Sequence, residues 1–331
     1  MLSVLRISLV AAMLPIVLSG CVKAKFSLFP DSTEPLEEYT LEGSAREKIL
    51  VVSLRGLMTD GPRDSLLRTR PSMVQEVVAH LRKAEKDKNI KALLIKVDSP
   101  GGTVTAGDLL YHEIMRFKER SGATVVAALM GVAASGGYYA ALAADEIVAH
   151  PTTITGSVGV IFVKPKVGGL MEKIGLEVEV EKSGRNKDMG SPFRRSTEEE
   201  REITRSLIDV LAGRFLGLVQ SRRSLAPALL QGVASGRVYL GDEALEIGLV
   251  DHVGYLDDAL HRAKALAALP DDARVVVYRR TEQSDDHIYN TGALHSLGES
   301  SGLPGAAFLD HLHVMPSGFY YLWIPAAGGL R

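Results

Sequence analysis

The sequence of 331 residues contains one cysteine, Cys21, and one tryptophan, and aromatic residues make up 6% of it. A single cysteine excludes a disulfide within the chain, so the folded part must be held together by its core. The sequence also lacks a cysteine cluster and the pattern HExxH, which are common signatures of zinc sites. We therefore predict a protein without a bound metal or cofactor.

A strong charge of one sign is also absent, because the formal net charge is −2 and the pI is near 6.5. This balance gives no basic surface for a phosphate backbone, and we exclude nucleic acid as a partner. Hydrophobic residues make up 46% of the chain and charged residues 24%, as in folded globular proteins. A peptide or a small molecule is the expected partner.

The apolar run near the N-terminus is short. It covers residues 7–20, is interrupted by Pro15, and falls below the length that spans a bilayer of roughly 30 Å. Small residues before Cys21 match the bacterial lipoprotein signal, so we predict a signal peptide over residues 1–21 and lipid on Cys21. The alternatives are a short signal anchor and a signal peptide cut nearby. Either way, we expect an exported protein of a bacterial cell envelope whose folded domain lies outside the cytoplasm.

The chain after the signal divides into three parts. Residues 22–46 mix charges and prolines without a period and predict a tether. Over residues 47–280, apolar strand runs alternate with helical spacings, which favours an α/β fold with a mostly parallel sheet flanked by helices. Alternation over residues 177–181 predicts a further strand, and the capping pattern of Thr197 and Glu200 predicts a long helix.

Residues 281–331 are predicted to be a linker followed by an apolar C-terminal tail. The apolar side chains at 319–324 would be a liability if they were exposed. We expect this tail to dock on its own domain or on a neighbouring subunit. A peripheral membrane contact is the alternative.

A glycine-rich turn surrounds Ser135, between an apolar strand run and a small-residue helical segment. Glycines beside a serine at such a junction allow close approach of another chain, and the following helix offers free N–H groups. An ordinary turn with a capping serine is the simpler interpretation. A second glycine turn, over residues 98–102, also follows a strand, so both turns are expected at the carboxyl edge of the sheet.

A serine nucleophile needs a base, and none of the nine histidines stands in a partner motif. A lysine can serve if its pKa falls from about 10.4 towards about 7–8, at a cost of roughly 3–5 kcal/mol in a dry site. Lys187, in a glycine-bounded loop, is the best candidate, and Lys182 is the second. Ser157, in another glycine-punctuated turn, could position the lysine.

Five motifs occur in one order along the chain. They are Asp98-Ser99-Pro100-Gly101-Gly102, Ala134-Ser135-Gly136-Gly137-Tyr138-Tyr139, Thr155-Gly156-Ser157-Val158-Gly159, Ser183-Gly184-Arg185-Asn186-Lys187-Asp188, and Ser235-Gly236-Arg237-Val238-Tyr239 with Gly248-Leu249-Val250-Asp251. Their set resembles the signal peptide peptidase A family of bacterial serine proteases, in its short single-copy form, over about residues 47–280.

The resemblance implies a ClpP/crotonase-like fold and a Ser/Lys dyad. By motif position, Ser135 is the nucleophile, Lys187 the general base, and Ser157 the hydroxyl that orients the lysine. The N–H of Gly102, with the backbone at Gly136, forms the oxyanion hole. The implied substrates are remnant signal peptides and unfolded chains at the membrane.

The resemblance also implies a homo-oligomer, in which Ser135 and Lys187 come from one subunit or from two neighbours. The chain departs from the family by its lipoprotein signal, where members usually carry a transmembrane anchor, and by its tail after residue 281. Two other functions stay open. A crotonase-type acyl-CoA enzyme would not need Ser135 or Lys187, and a catalytically silent membrane-tethered scaffold would need no catalysis.

Overall fold

The computed structural model describes residues 34–65, 68–280, 282, 286–290 and 317–327. The predicted signal peptide, Cys21 and residues 22–33 of the predicted tether lie outside these residues. From Leu36 onward the described chain belongs to one compact unit. Within this part of the chain, none of the helices has the length and apolar character needed to cross a bilayer.

The described residues form fourteen strands. In chain order these are β1 Glu37–Glu42, β2 Lys48–Arg55, β3 Arg63–Ser65, β4 Arg68–Arg70, β5 Ile90–Ser99, β6 Gly101–Thr103, β7 Thr124–Ala134, β8 Glu146–Ala149, β9 Ile154–Gly156, β10 Ile161–Val163, β11 Val238–Leu240, β12 His252–Val253, β13 Arg274–Arg279 and β14 Gly318–Leu322.

The same residues form nine helices. In chain order these are α1 Met73–Ala84, α2 Val104–Ser121, α3 Gly136–Ala141, α4 Gly168–Ile174, α5 Glu198–Arg222, α6 Pro227–Ala234, α7 Gly241–Glu246, α8 Leu256–Leu266 and α9 Ile324–Ala327.

The main sheet has nine strands, seven of them in the order β1-β13-β2-β5-β7-β8-β12, while β9 pairs with β7 and with β11. Its central strands are parallel, as predicted from the alternation of strand runs and helices. Residues of β2 point alternately to two cores, with Leu50 and Val52 on one face and Ile49 and Val51 on the other. Helix α8 contributes to the second core, so both faces of the sheet are covered.

Local sequence signals explain where the predicted long helix begins. Thr197 accepts a hydrogen bond from the N–H of Glu200, and the Glu200 carboxylate accepts one from the N–H of Thr197. This reciprocal capping satisfies N–H groups that have no partner within the helix. The predicted helix start and its capping box are therefore confirmed.

Two predictions about the chain are wrong. The predicted tether over residues 22–46 includes β1, which pairs antiparallel with β13 and belongs to the main sheet. Residues 177–181, predicted to be a strand, form none, and Val178 and Val180 are exposed. Among the described residues, no strand pairs with this segment.

The C-terminal tail docks on its own domain, as expected. Strand β14 is the middle strand of a three-stranded sheet and pairs antiparallel with both β10 and β6. Its last three residues, 320–322, are buried. The tail is therefore part of the fold, and it lies on the strand that directly follows β5.

His80 is a titratable group inside the core. Its side chain on α1 is 6% exposed, and its ring lies edge-on to Tyr278 with the ring centroids 6.1 Å apart. Burial, with the nearby charges of Arg280 and Lys83, lowers the pKa of His80 from 6.5 to about 4. Between pH 6.5 and about pH 4, His80 is therefore protonated in the unfolded chain and neutral in the folded chain.

We therefore predict that stability falls as the pH is lowered from 6.5 towards 4. The loss from this residue alone amounts to about 3 kcal/mol. Urea unfolding of the full chain across this range measures it. His80→Gln should flatten the profile, whereas His112→Gln, which changes an exposed histidine on α2, should leave it unchanged. Equal slopes in all three proteins would contradict the prediction.

Candidate active site

Ser135 lies between the end of β7 and the start of α3, in a strained backbone conformation. Its φ is 53° and its ψ is −116°, and it is one of three non-glycine residues with positive φ in the described chain. Such strain costs on the order of 1–3 kcal/mol and is typical of functional turns. The Ser135 side chain makes no capping hydrogen bond to α3, so its interpretation as an ordinary capping serine is not supported.

The two glycine turns predicted to converge are in backbone contact. A Cβ placed on Gly136 would lie 3.1 Å from the Cα of Gly101 and 3.3 Å from the nitrogen of Gly102. A Cβ on Gly102 would lie 1.9 Å from the carbonyl oxygen of Met58. Side chains are sterically excluded there, which is the physical reason for glycine at these positions.

The peptide groups of β6 show which way the Gly102 amide points. The N–H of Met58 donates to the carbonyl of Gly101 at 2.9 Å, and the carbonyl of Met58 accepts from the N–H of Thr103 at 3.1 Å. Successive residues of a strand direct their peptide groups to opposite edges, so the N–H and C=O of Gly102 face the other edge. On that edge β14 is paired, with Tyr321 opposite Gly102.

Ser99 and Asp98 hold this arrangement in place, and sequence reasoning gave neither a role. The buried hydroxyl of Ser99 donates to the carbonyl of Gly56 at 2.6 Å and accepts from the N–H of Gly101 at 3.1 Å. Asp98 accepts from the N–H of Val132 at 3.2 Å, which links the end of β5 to β7. The sequence signal for both residues is their place in the first glycine motif, where they precede Pro100 and Gly101.

Ser157 lies at the same edge of the sheet as Ser135. Ala134 pairs with Gly156 in register, so the two serines follow the last paired residues of neighbouring strands. The N–H of Ser135 donates to the carbonyl of Gly156 at 2.8 Å. Ser157 also has positive φ, 52°, and its N–H donates to the carbonyl of Arg237 at 2.8 Å.

Lys187 is the predicted site residue that the single chain does not bring to Ser135. Its side chain is exposed, and among the described residues no hydrogen bond joins it to Ser135 or Ser157. The second candidate, Lys182, has its Nζ 2.8 Å from Asp188 in an ion pair. This ion pair therefore holds the side chain of Lys182 within its own loop.

An ion-pair network fixes the loop that carries Lys187. Arg194 binds Asp188 at 2.7 Å and also pairs with Glu200, a buried residue at the start of α5. The Arg194 guanidinium and the Lys182 ammonium hold the pKa of Asp188 well below its usual range. The loop is therefore anchored to α5, and the Lys187 side chain on it is exposed.

A strained serine at the end of a parallel strand, facing glycine amides at the end of the next strand, defines a serine hydrolase site on an α/β, ClpP/crotonase-like fold. Comparison with known proteins supports this class. Peptidase family S49 matches residues 118–270, and the Clp protease family matches residues 68–167.

Individual relatives cover most of the chain. The SppA protein of Enterococcus faecium is 34% identical over 252 residues, which are 76% of this chain and 73% of that protein. The slr0021 protein of Synechocystis is 37% identical over 229 residues, 69% of this chain and 78% of that protein. A ClpP1 structure from Listeria monocytogenes is 18% identical with a TM-score of 0.40, covering 65% of this chain and 95% of that chain.

The chain belongs to peptidase family S49 and is similar to its short, SppA-like form. It is a serine peptidase of a family that uses a Ser/Lys dyad. This membership favours hydrolysis over the acyl-CoA chemistry of crotonase-type enzymes.

The position of the Gly102 amide should depend on the Ser99 hydroxyl. In Ser99→Ala the N–H of Gly101 and the carbonyl of Gly56 lose their shared partner, so the turn loosens. We expect kcat/KM on an unfolded protein to fall roughly ten- to hundredfold, as when an oxyanion donor is displaced.

Hydrolysis of casein by the folded variant measures this effect. Ser121→Ala is the matched control, because that hydroxyl also donates to a backbone carbonyl, that of Phe117 at 2.8 Å. Ser121 lies at the end of α2, before the start of β7, whereas Ser99 is the last residue of β5 and lies beside the glycine turns. Equal kcat/KM in both variants would show that the Ser99 contact does not position the site.

Proposed function

We propose that the protein is a membrane-associated endopeptidase that cleaves remnant signal peptides or unfolded polypeptides with Ser135 and Lys187. The observation that carries this proposal is the backbone contact between the strained Ser135 turn and the Gly101-Gly102 turn. It puts a hydroxyl and two amides at one place, as acyl transfer requires. Ser157 is the hydroxyl that orients the lysine.

In the proposed reaction the Oγ of Ser135 attacks the carbonyl carbon of the peptide bond, and its proton passes to the neutral Nζ of Lys187. The amides of Gly102 and Gly136 stabilise the oxyanion. The C–N bond then breaks, and the leaving amine takes the proton from Lys187. Water hydrolyses the ester, giving one proton to Lys187 that returns to the oxygen of Ser135.

The exposure of Lys187 supports a shared site in a homo-oligomer. A neutral lysine needs a dry environment, which the single chain does not provide. The segment that carries Lys187 also exposes a set of large apolar side chains to solvent, namely Leu170, Ile174, Leu176, Val178, Val180, Met189 and Phe193. A neighbouring subunit that covers this surface would exclude water from Lys187 and place its own Ser135 beside that lysine.

The dyad makes a direct prediction. Ser135→Ala and Lys187→Ala should each lower peptide hydrolysis by several powers of ten without unfolding the protein, because an unactivated serine is a poor nucleophile. Labelling of Ser135 by a fluorophosphonate should disappear in Lys187→Ala. Lys182→Ala is the matched control on the same loop and should keep its activity.

Mixing the two inactive variants tests the shared site. If Ser135 and Lys187 come from neighbouring subunits, oligomers refolded from both variants should regain a fraction of the activity. Normal turnover in Lys187→Ala would refute the dyad. Unchanged cellular behaviour in Ser135→Ala would favour the silent scaffold.

The membrane attachment rests on Cys21, and it is tested separately. In Cys21→Ser the predicted lipid cannot be added, so the protein should move from the membrane to the soluble fraction after fractionation of the cell envelope. Ser19→Ala, which keeps a small residue before the cysteine, is the control and should stay at the membrane. Persistent attachment of Cys21→Ser would favour an anchor helix.

A further inference from the structure

The last sequence motif, Ser235–Tyr239, has no part in the reaction proposed above, yet it borders the turn of Ser157. Its final residues belong to β11, which pairs antiparallel with β9 and sets Val238 opposite Gly156. On its other edge, β9 pairs in parallel with β7, the strand that ends beside Ser135. The short strand β9, which leads into Ser157, is therefore held between the strand of the nucleophile and this motif.

One peptide group connects the turns of the two serines. The carbonyl of Gly156 accepts from the N–H of Ser135 at 2.8 Å, and the N–H of Ser157 donates to the carbonyl of Arg237 at 2.8 Å. These two groups belong to the same planar peptide bond, so a tilt of its plane changes both hydrogen bonds. Both residues of the turn have positive φ, 86° for Gly156 and 52° for Ser157. A non-glycine residue in this conformation is strained and needs support from its surroundings.

The ring of Tyr239 covers the face of Gly156. A Cβ on Gly156 would lie 2.7 Å from Cδ2 and 3.2 Å from Cε2 of that ring. The ring thus occupies the space of the missing side chain, a packing by which aromatic residues compensate for glycine in a sheet. Tyr239 is 5% exposed, and two of its ring carbons make this contact. The hydroxyl is therefore not needed for it.

Neighbouring groups hold the Tyr239 ring in place. The guanidinium of Arg237 lies 4.9 Å from the ring centroid and forms an ion pair with Glu243 on α7. The far end of the ring reaches α6, where a Cβ on Gly232 would lie 3.8 Å from the Tyr239 hydroxyl oxygen. The ring is thus confined between β9, α6 and the guanidinium, so it supports the Ser157 turn from within the core.

We propose that Tyr239 is a positioning residue, which fixes the Gly156–Ser157 peptide and through it the hydroxyl of Ser157. This inference rests on the proposed function, in which Ser157 orients Lys187. Without the ring the turn can relax into the vacated space, and the hydroxyl no longer aligns the lysine. A misplacement of about 1 Å costs up to about a hundredfold in rate. The effect should fall on kcat rather than on KM, because the ring acts through the turn.

Replacement of the ring tests the proposal in the full chain, with casein as the substrate. Tyr239→Leu should lower kcat about ten- to hundredfold and leave KM within about twofold of its original value. Tyr239→Phe keeps both contacting ring carbons and should retain most of the kcat. Labelling of Ser135 by a fluorophosphonate should slow in Tyr239→Leu as well, because the N–H of Ser135 binds the same peptide group.

The matched control is Tyr278→Leu, which removes a buried tyrosine ring on β13, three strands away from β7. It should lower the thermal stability to a similar extent but keep kcat within about twofold. If Tyr239→Leu does not fold, Tyr239→Met keeps a longer apolar side chain and should still lower kcat at least about threefold. An unchanged kcat in the folded variant, or an equal loss in Tyr239→Phe or Tyr278→Leu, would overturn the proposal.

A double variant shows whether Tyr239 acts through Ser157. Ser157→Ala and Tyr239→Leu together should lower kcat by less than the product of their separate effects, because both disturb the same hydroxyl. Losses that multiply would break this link. Full activity in Ser157→Ala would refute the proposed role of Ser157 and this inference with it. Loss of activity in Ser157→Ala but not in Tyr239→Leu would refute the inference alone.

Discussion

The site depends on one steric constraint: the turns that follow the carboxyl ends of strands β5 and β7 are in backbone contact. A Cβ on Gly137 would lie 2.7 Å from the carbonyl oxygen of Ser99, and one on Gly101 would lie 2.7 Å from the nitrogen of Gly136. Because no side chain fits between the turns, the strained Ser135, the Gly102 amide and strand β14 lie next to one another. The same closeness makes the glycines sensitive to substitution although they carry no functional group.

The sequence allowed the central sheet and the glycine turns to be predicted, because both leave local signals. Buried parallel strands are continuous apolar runs, and close approach requires glycine. Strand β1 was missed because it is a partly exposed edge strand whose partner β13 is distant in sequence, with Glu37 opposite Arg279. The packing of Tyr321 on Tyr139 and Phe215 was missed for the same reason, because it joins α3, α5 and the C-terminal strand β14.

Lys187 shows where prediction from one chain ends. Its motif marks it as the base, yet the fold leaves it exposed on a loop that Asp188, Arg194 and Glu200 hold in shape. Neutral lysine at moderate pH requires desolvation, which depends on what covers the loop. The same segment exposes apolar side chains, and its alternating residues 177–181 form no strand. The proposed contact with a second copy of the chain would account for both observations, because it would cover the apolar side chains and give residues 177–181 a partner.

The burial of Ser135 has a consequence for how a peptide could reach it. Ser135 is 1% exposed beneath a strand paired on both edges, so a substrate must replace that pairing. Only an extended segment with both backbone edges free can pair with β6 and β10 at once. Folded proteins seldom expose such a segment, which supports the proposal that the substrates are unfolded polypeptides.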